Sequence, residues 1–169
     1  MRRLLLLACT LAALTAVTAR AAGSATTATF TLTAGALSIS TPTGSVSLGS
    51  QGVSNAAMTI SGSLGVVTVS DQRGGATSWV TSVISTAFTP PAGPANPASN
   101  VSYDAGAMTE TPTVVATAVH GADLTGVTTV VNGASTGISS ASWNPTISIA
   151  VPANYAPGVY TATITHSVA

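Results

Sequence analysis

The sequence predicts an all-β protein: a single antiparallel β-sandwich of Ig-like or Greek-key type that follows an N-terminal signal peptide. Three observations carry this. Thr, Val, Ser and Ala dominate the 169 residues and only 5% are charged, so the strong helix formers Glu, Lys and Arg are scarce while β-branched residues abound. Apolar and polar residues alternate with a period of two over short runs. Gly, Pro, Asn and Ser interrupt these runs at short spacing, as in strands joined by tight turns.

The leader comes first. Arg2 and Arg3 precede an apolar run from Leu4 to Ala19, and Ala19-Arg20-Ala21 offers small residues for cleavage, which predicts a secretory signal peptide over residues 1–21. The run is short against the roughly 20 residues of a bilayer span. Cys9 sits in Leu6-Leu7-Ala8-Cys9, a sequence like a lipidation box, but the apolar run continues past it to Val17. Cys9 is therefore read as part of the removed leader. Residues 22–169 suit one domain of ordinary size.

Cleavage changes the charge balance. There is no Lys, and Arg73 remains as the only basic side chain against Asp71, Asp104, Glu110 and Asp123, a net charge of −3. Neutralising phosphates takes several cationic side chains, so a nucleic-acid partner and, for the mature form, an anionic membrane surface are excluded. No cysteine is left for a disulfide, and stability must come from burial and sheet pairing.

Along the chain, strands are expected at 28–33, 36–40, 45–48, 56–60, 64–70, 78–86, 100–104, 113–119, 126–131, 146–151 and 159–168. Thr41-Pro42-Thr43-Gly44, Arg73-Gly74-Gly75, Asn132-Gly133 and Ala156-Pro157-Gly158 read as turns. Residues 90–97 contain four prolines, which cannot donate to a ladder, and read as a surface loop. The last strand is the clearest: Tyr160, Ala162, Ile164, His166 and Val168 share one face, expected to be the core face, and Thr161, Thr163 and Thr165 share the other.

Two segments resemble a known family. Val67-Thr68-Val69-Ser70-Asp71-Gln72-Arg73-Gly74, followed by Ser78-Trp79-Val80-Thr81, is similar to the first signature of the WxL-domain proteins, a strand, an Asp-x-Arg turn and a Trp-containing strand. Tyr160-Thr161-Ala162-Thr163-Ile164-Thr165-His166 is similar to their closing signature. The resemblance covers most of the chain from about Leu64 onward. It implies an exported domain that attaches non-covalently to the cell wall of Gram-positive bacteria, with peptidoglycan as ligand. Thr81 stands where the family has Leu and His166 where it has Trp, so Asp71, Arg73, Trp79 and Tyr160 are what the chain retains of the pattern.

The candidate ligand-binding residues are Asp71, Arg73, Trp79 and Trp143. Arg73, as the sole cation outside the leader, suits forked recognition of a carboxylate; the alternative is a local turn-stabilising pair with Asp71. Each Trp is either a stacking face for a sugar or an anchor of the core. His166 has inward parity, with its ring nitrogens expected to be satisfied by backbone or a Tyr.

Nothing in the residue pattern suggests a catalytic constellation, a metal site or a cofactor. His120 is the only other imidazole, and the four acids lack the spacing of a calcium loop. Gly133-Ala134-Ser135-Thr136-Gly137 matches the nucleophile pattern of hydrolases, but no acid follows Asp123 in the chain and no helix is expected after the serine. The expectation is a secreted, non-enzymatic, cell-wall-associated surface protein. Its partner is peptidoglycan or, alternatively, other surface proteins met through a sheet edge.

Overall fold

The computed structural model describes residues 23–169; the expected signal peptide, with Cys9, lies outside them. Contacts divide the chain into two units, Met1–Leu32 and Thr33–Ala169. In the first, the described residues are exposed and unpaired, and the strand expected at 28–33 does not form a ladder.

The second unit is all-β. Its strands are β1 (Leu37–Ser40), β2 (Met58–Ser63), β3 (Val67–Asp71), β4 (Thr77–Ser85), β5 (Val101–Asp104), β6 (Met108–Glu110), β7 (Val114–Ala118), β8 (Gly121–Ala122), β9 (Thr128–Ser135), β10 (Ser139–Trp143), β11 (Thr146–Val151) and β12 (Ile164–Val168). They form three four-stranded sheets, ordered β1-β3-β10-β6, β2-β11-β5-β8 and β12-β4-β9-β7. Every pairing is antiparallel.

The first two sheets are halves of one layer. β2 runs into β3 through residues 64–66, β10 into β11 through 144–145, and β5 into β6 through 105–107, so three long strands cross from one sheet to the other in the same order. The break is chemically prepared. Gly65 and Gly106 have φ of 88° and 69°, a region that disfavours other residues, and Pro145 has no N–H to offer. The freed groups bond locally: Gly65 N–H to Ser63 Oγ at 3.1 Å, Gly106 N–H to Asp104 Oδ1 at 2.9 Å, Leu64 N–H to the Pro145 carbonyl at 3.0 Å, and the Ser63 hydroxyl to Asn144 Oδ1. Leu64, Gly65 and Gly106 N–H, freed from the ladder, thus each find a partner.

Opposite lies the sheet β12-β4-β9-β7. Inward residues of both layers, among them Val67, Val69, Trp143, Ile147, Trp79, Val83, Val130 and Val131, form one core. Val130 and Val131 are adjacent yet both buried, because the β4–β9 register slips between Thr81 and Ser82. A bulge of this kind reverses the in–out parity of the strand beyond it.

Two sequence expectations are corrected here. Asn132-Gly133 is not a turn but the middle of β9. The glycine is there because the Trp79 ring lies on it: a β-carbon at Gly133 would overlap Trp79 Cε2 and Cζ2, so only hydrogen fits. Residues 45–48 form no strand, while β6, β8 and β10 arise where none was expected. The proline-rich loop 90–97 is as anticipated, and buried Asn96 pins it by donating to the Ala150 carbonyl at 3.0 Å.

Gly133→Ala is expected to displace the Trp79 ring and to destabilise the fold by about 1–3 kcal/mol or more. Urea unfolding followed by Trp fluorescence measures this, and an unchanged midpoint would show that the ring does not need the space.

Candidate functional site

Asp71 ends β3, and residues 72–76 carry the chain across to β4 in the opposite layer. Its side chain is 1% exposed, and a carboxylate that dry needs its lone pairs filled. They are. Arg73 Nε donates to Oδ1 and Nη2 to Oδ2, both at 2.9 Å, and Arg73 N–H also donates to Oδ1 at 3.0 Å. The Thr77 hydroxyl donates to Oδ2 at 2.7 Å. Arg73 Nη2 continues to the Ser78 carbonyl at 2.9 Å. The Arg73 guanidinium and the Thr77 hydroxyl hold the Asp71 pKa far below the usual carboxylate range, against the opposing effect of burial. Asp71 is thus spent on clamping the cross-layer turn. Arg73, 33% exposed, commits its fork to that clamp.

A second polar knot lies in the core. Trp143 Nε1–H donates to Tyr103 Oη at 2.8 Å, and His166 Nε2 stands 3.3 Å from the same oxygen. The Tyr103 and His166 rings meet edge to face, with centroids 5.6 Å apart, a favoured aromatic geometry. Burial pushes the Tyr103 pKa up and the His166 pKa down, so near neutral pH the phenol keeps its proton and the imidazole beside it is neutral.

Neither Trp is available to stack on an external sugar. Trp79 and Trp143 are each 2% exposed, which corrects their reading as candidate stacking faces: both rings pack inside the sandwich, where their area stabilises it most. Trp79 Nε1 and the neighbouring inward hydroxyl, Thr81 Oγ1, are buried without a hydrogen-bond partner among the described residues. The nucleophile-like pattern places Ser135 at the buried end of β9, its hydroxyl bonded to that of Ser139 at 2.7 Å, with no imidazole or carboxylate beside it in that bond. Among the described residues, no three His, Cys, Asp or Glu side chains converge on a point.

The feature that sequence reading missed is a cleft. β1 ends at Ser40, and residues 41–57 run on without joining a ladder. Beyond that point the edges of the two layers, β2 and β12, remain unpaired among the described residues. Between them opens a cavity of about 1000 Å³, lined by Met58 and Ile60 of β2, Ile149 of β11, Phe88, Tyr160, and Ile164 and His166 of β12, with residues 41–54 along its rim. That size lies at the upper end of ordinary ligand pockets. Its lining contains no Asp, Glu, Lys or Arg.

The β12 edge is open along the cleft. Thr86 N–H bonds the Thr163 carbonyl, and Val80 and Ala169 exchange both their bonds, so the odd-numbered residues turn their backbone groups toward β4. By the alternation of an antiparallel ladder, Ile164, His166 and Val168 turn theirs outward. The strand carries no proline, charge or bulge, the usual guards of an exposed edge. β1 lies near β12 without pairing to it. The parity expected for this strand holds: Ile164, His166 and Val168 are half-buried and Thr165 is exposed. Ile164 and His166 are half-buried, not buried, because they line the cleft.

Comparison of the chain with protein-family models, with curated proteins and with solved structures finds no match.

Two expectations follow from the polar groups. Thr81→Val keeps the shape of the side chain and removes an unpartnered buried hydroxyl, so it should raise stability by about 1–3 kcal/mol in chemical denaturation; a loss would reveal a hidden partner. For pH, both His166 and Asp71 have folded pKa values below their unfolded ones. Each therefore contributes stability that is complete above its unfolded value and is lost as pH falls. The melting temperature should begin to fall below about pH 6.5, where unfolded His titrates, and fall again below about pH 4, where unfolded Asp does. His166→Phe should abolish the first step and Asp71→Asn should shrink the second, leaving the part that comes from Asp123, whose pKa is also lowered by its bonds to Thr125.

Proposed function

We propose that the chain is an exported, non-catalytic cell-surface protein that acts by non-covalent association, and that it joins other protein chains through a sheet edge. The observation that carries this is the pairing of an uncharged apolar cleft with the unguarded edge of β12. An open edge offers backbone hydrogen bonds to an incoming strand, and the cleft takes that strand's alternate side chains. Export rests on the signal-peptide pattern of residues 1–21. The resemblance to the WxL-domain proteins supplies the Gram-positive cell wall as the setting.

Direct attachment to peptidoglycan is the second reading, favoured by one observation: Arg73 is the only cation among residues 23–169 and a third of its side chain reaches solvent. Against it, the aromatic faces that bind sugars by stacking are absent from the surface at both tryptophans.

Co-sedimentation separates the two. The purified chain, mixed with purified peptidoglycan at moderate salt, is expected to stay in the supernatant, with chain–chain complexes detectable by light scattering. Quantitative pelleting with peptidoglycan alone, reduced by Arg73→Ala in a variant that still folds, would instead establish wall binding and overturn the assembly reading.

A further inference from the structure

We infer that the cleft between β2 and β12 is the acceptor for residues 26–32 of a second copy of this chain, which add to the free edge of β12 as an extra strand. This inference rests on the assembly reading and names the partner.

The donor segment has the pattern of a half-buried strand without the burial. Ala28, Phe30 and Leu32 alternate with Thr27, Thr29 and Thr31, a period of two that places the apolar side chains on one face. Phe30 and Leu32 are each 86% exposed, the most exposed large apolar side chains among the described residues. The segment pairs with no strand among the described residues. A segment patterned for a sheet that joins no ladder among the described residues retains both its backbone hydrogen-bonding capacity and its apolar face for another surface.

The acceptor lacks what the donor has. Outward-facing backbone groups of Ile164 and His166 stand unpaired along one wall, while Ile60, Phe88 and Ile149 line the interior. Seven residues in extended form span roughly 23 Å, comparable to the run of residues 160–166 that borders the cavity. Charge agrees as well: residues 23–70 contain no Asp, Glu, Lys or Arg, and neither does the lining, so no charge is desolvated when the two meet.

The rim is held by packing more than by hydrogen bonds: Leu48 lies against Gly62 of β2 and Pro42 against Gly65, and an incoming strand runs beside this segment on the β12 side. Residues 41–53 make no backbone–backbone hydrogen bond to the described residues. One side-chain bond, Gln51 Nε2 to the Thr59 carbonyl at 3.3 Å, links them to β2. Because donor and acceptor are different surfaces, each copy can give to one neighbour and receive from another, a head-to-tail contact that builds rings or open chains.

Sedimentation velocity of the purified chain over a wide concentration range tests this, with Phe30→Asp/Leu32→Asp as the disrupting variant and Thr29→Asp/Thr31→Asp as a control on the solvent face. Expected are concentration-dependent oligomers for the wild type and the control. The Phe30→Asp/Leu32→Asp variant should keep the wild-type melting temperature and lose about a hundredfold or more in association, as two large side chains lose their burial. A synthetic peptide of residues 24–34 in excess should convert wild-type oligomers to peptide-bound monomers. Oligomers that survive Phe30→Asp/Leu32→Asp and ignore the peptide overturn this donor while leaving sheet-edge assembly standing. A wild-type chain that stays monomeric throughout and binds no peptide overturns the donor and, with it, self-assembly through this edge.

Discussion

One hydroxyl group joins the three sheets. Tyr103 Oη lies on β5, accepts from Trp143 on β10 and meets His166 on β12, so each sheet contributes one member of the knot. Tyr103 has no exposed surface, and a phenol that deep must be hydrogen-bonded or cost the fold the penalty of an unmet donor. The knot therefore constrains where the two halves of the broken layer stand relative to β12, and through β12 where the cleft opens. His166 belongs to both: one side of its ring completes the core and the other forms part of the cavity wall.

Two devices hold the architecture around that point. The break between the two halves of one layer is made of residues that cannot continue a ladder, Gly65, Pro145 and Gly106, with Ser63, Asn144 and Asp104 beside them to take up the freed hydrogen bonds. At the far end, Asp71 and Arg73 close the cross-layer turn. Asp71 is costly to bury, but its oxygens accept four hydrogen bonds from two residues, Arg73 and Thr77, the condition under which a buried carboxylate is tolerated. The Asp-x-Arg sequence is accounted for by this clamp without any ligand.

The open edge follows from the brevity of β1. Four residues pair with β3, and then Pro42 and Gly44 take the chain out of the layer. The chain beyond it packs on β2, Leu48 lying against Gly62, and adds no strand to the edge. An unguarded edge is a liability in a protein meant to stay alone, and its place beside an uncharged cavity is the ground for the association proposed above.

The all-β class, the parity of the C-terminal strand, expected over 159–168 and formed over Ile164–Val168, and the loop at 90–97 were legible in the sequence because they rest on local signals: composition, a period of two, and prolines that cannot pair. What stayed illegible depends on contacts between distant segments. Gly133 looks like a turn residue until Trp79, more than fifty positions earlier, is seen to need its missing β-carbon. Ser139-Ser140-Ala141-Ser142 looks too polar for a core strand, yet pairing on both sides satisfies its backbone and places Ala141 and Ser139 inside. Trp79 and Trp143 were recognisable as the large aromatics that matter, but only tertiary packing decided that they face inward. The cleft has no sequence signature at all: it is the space left where β1 stops, and a gap between two edges exists only once the layers have been brought together.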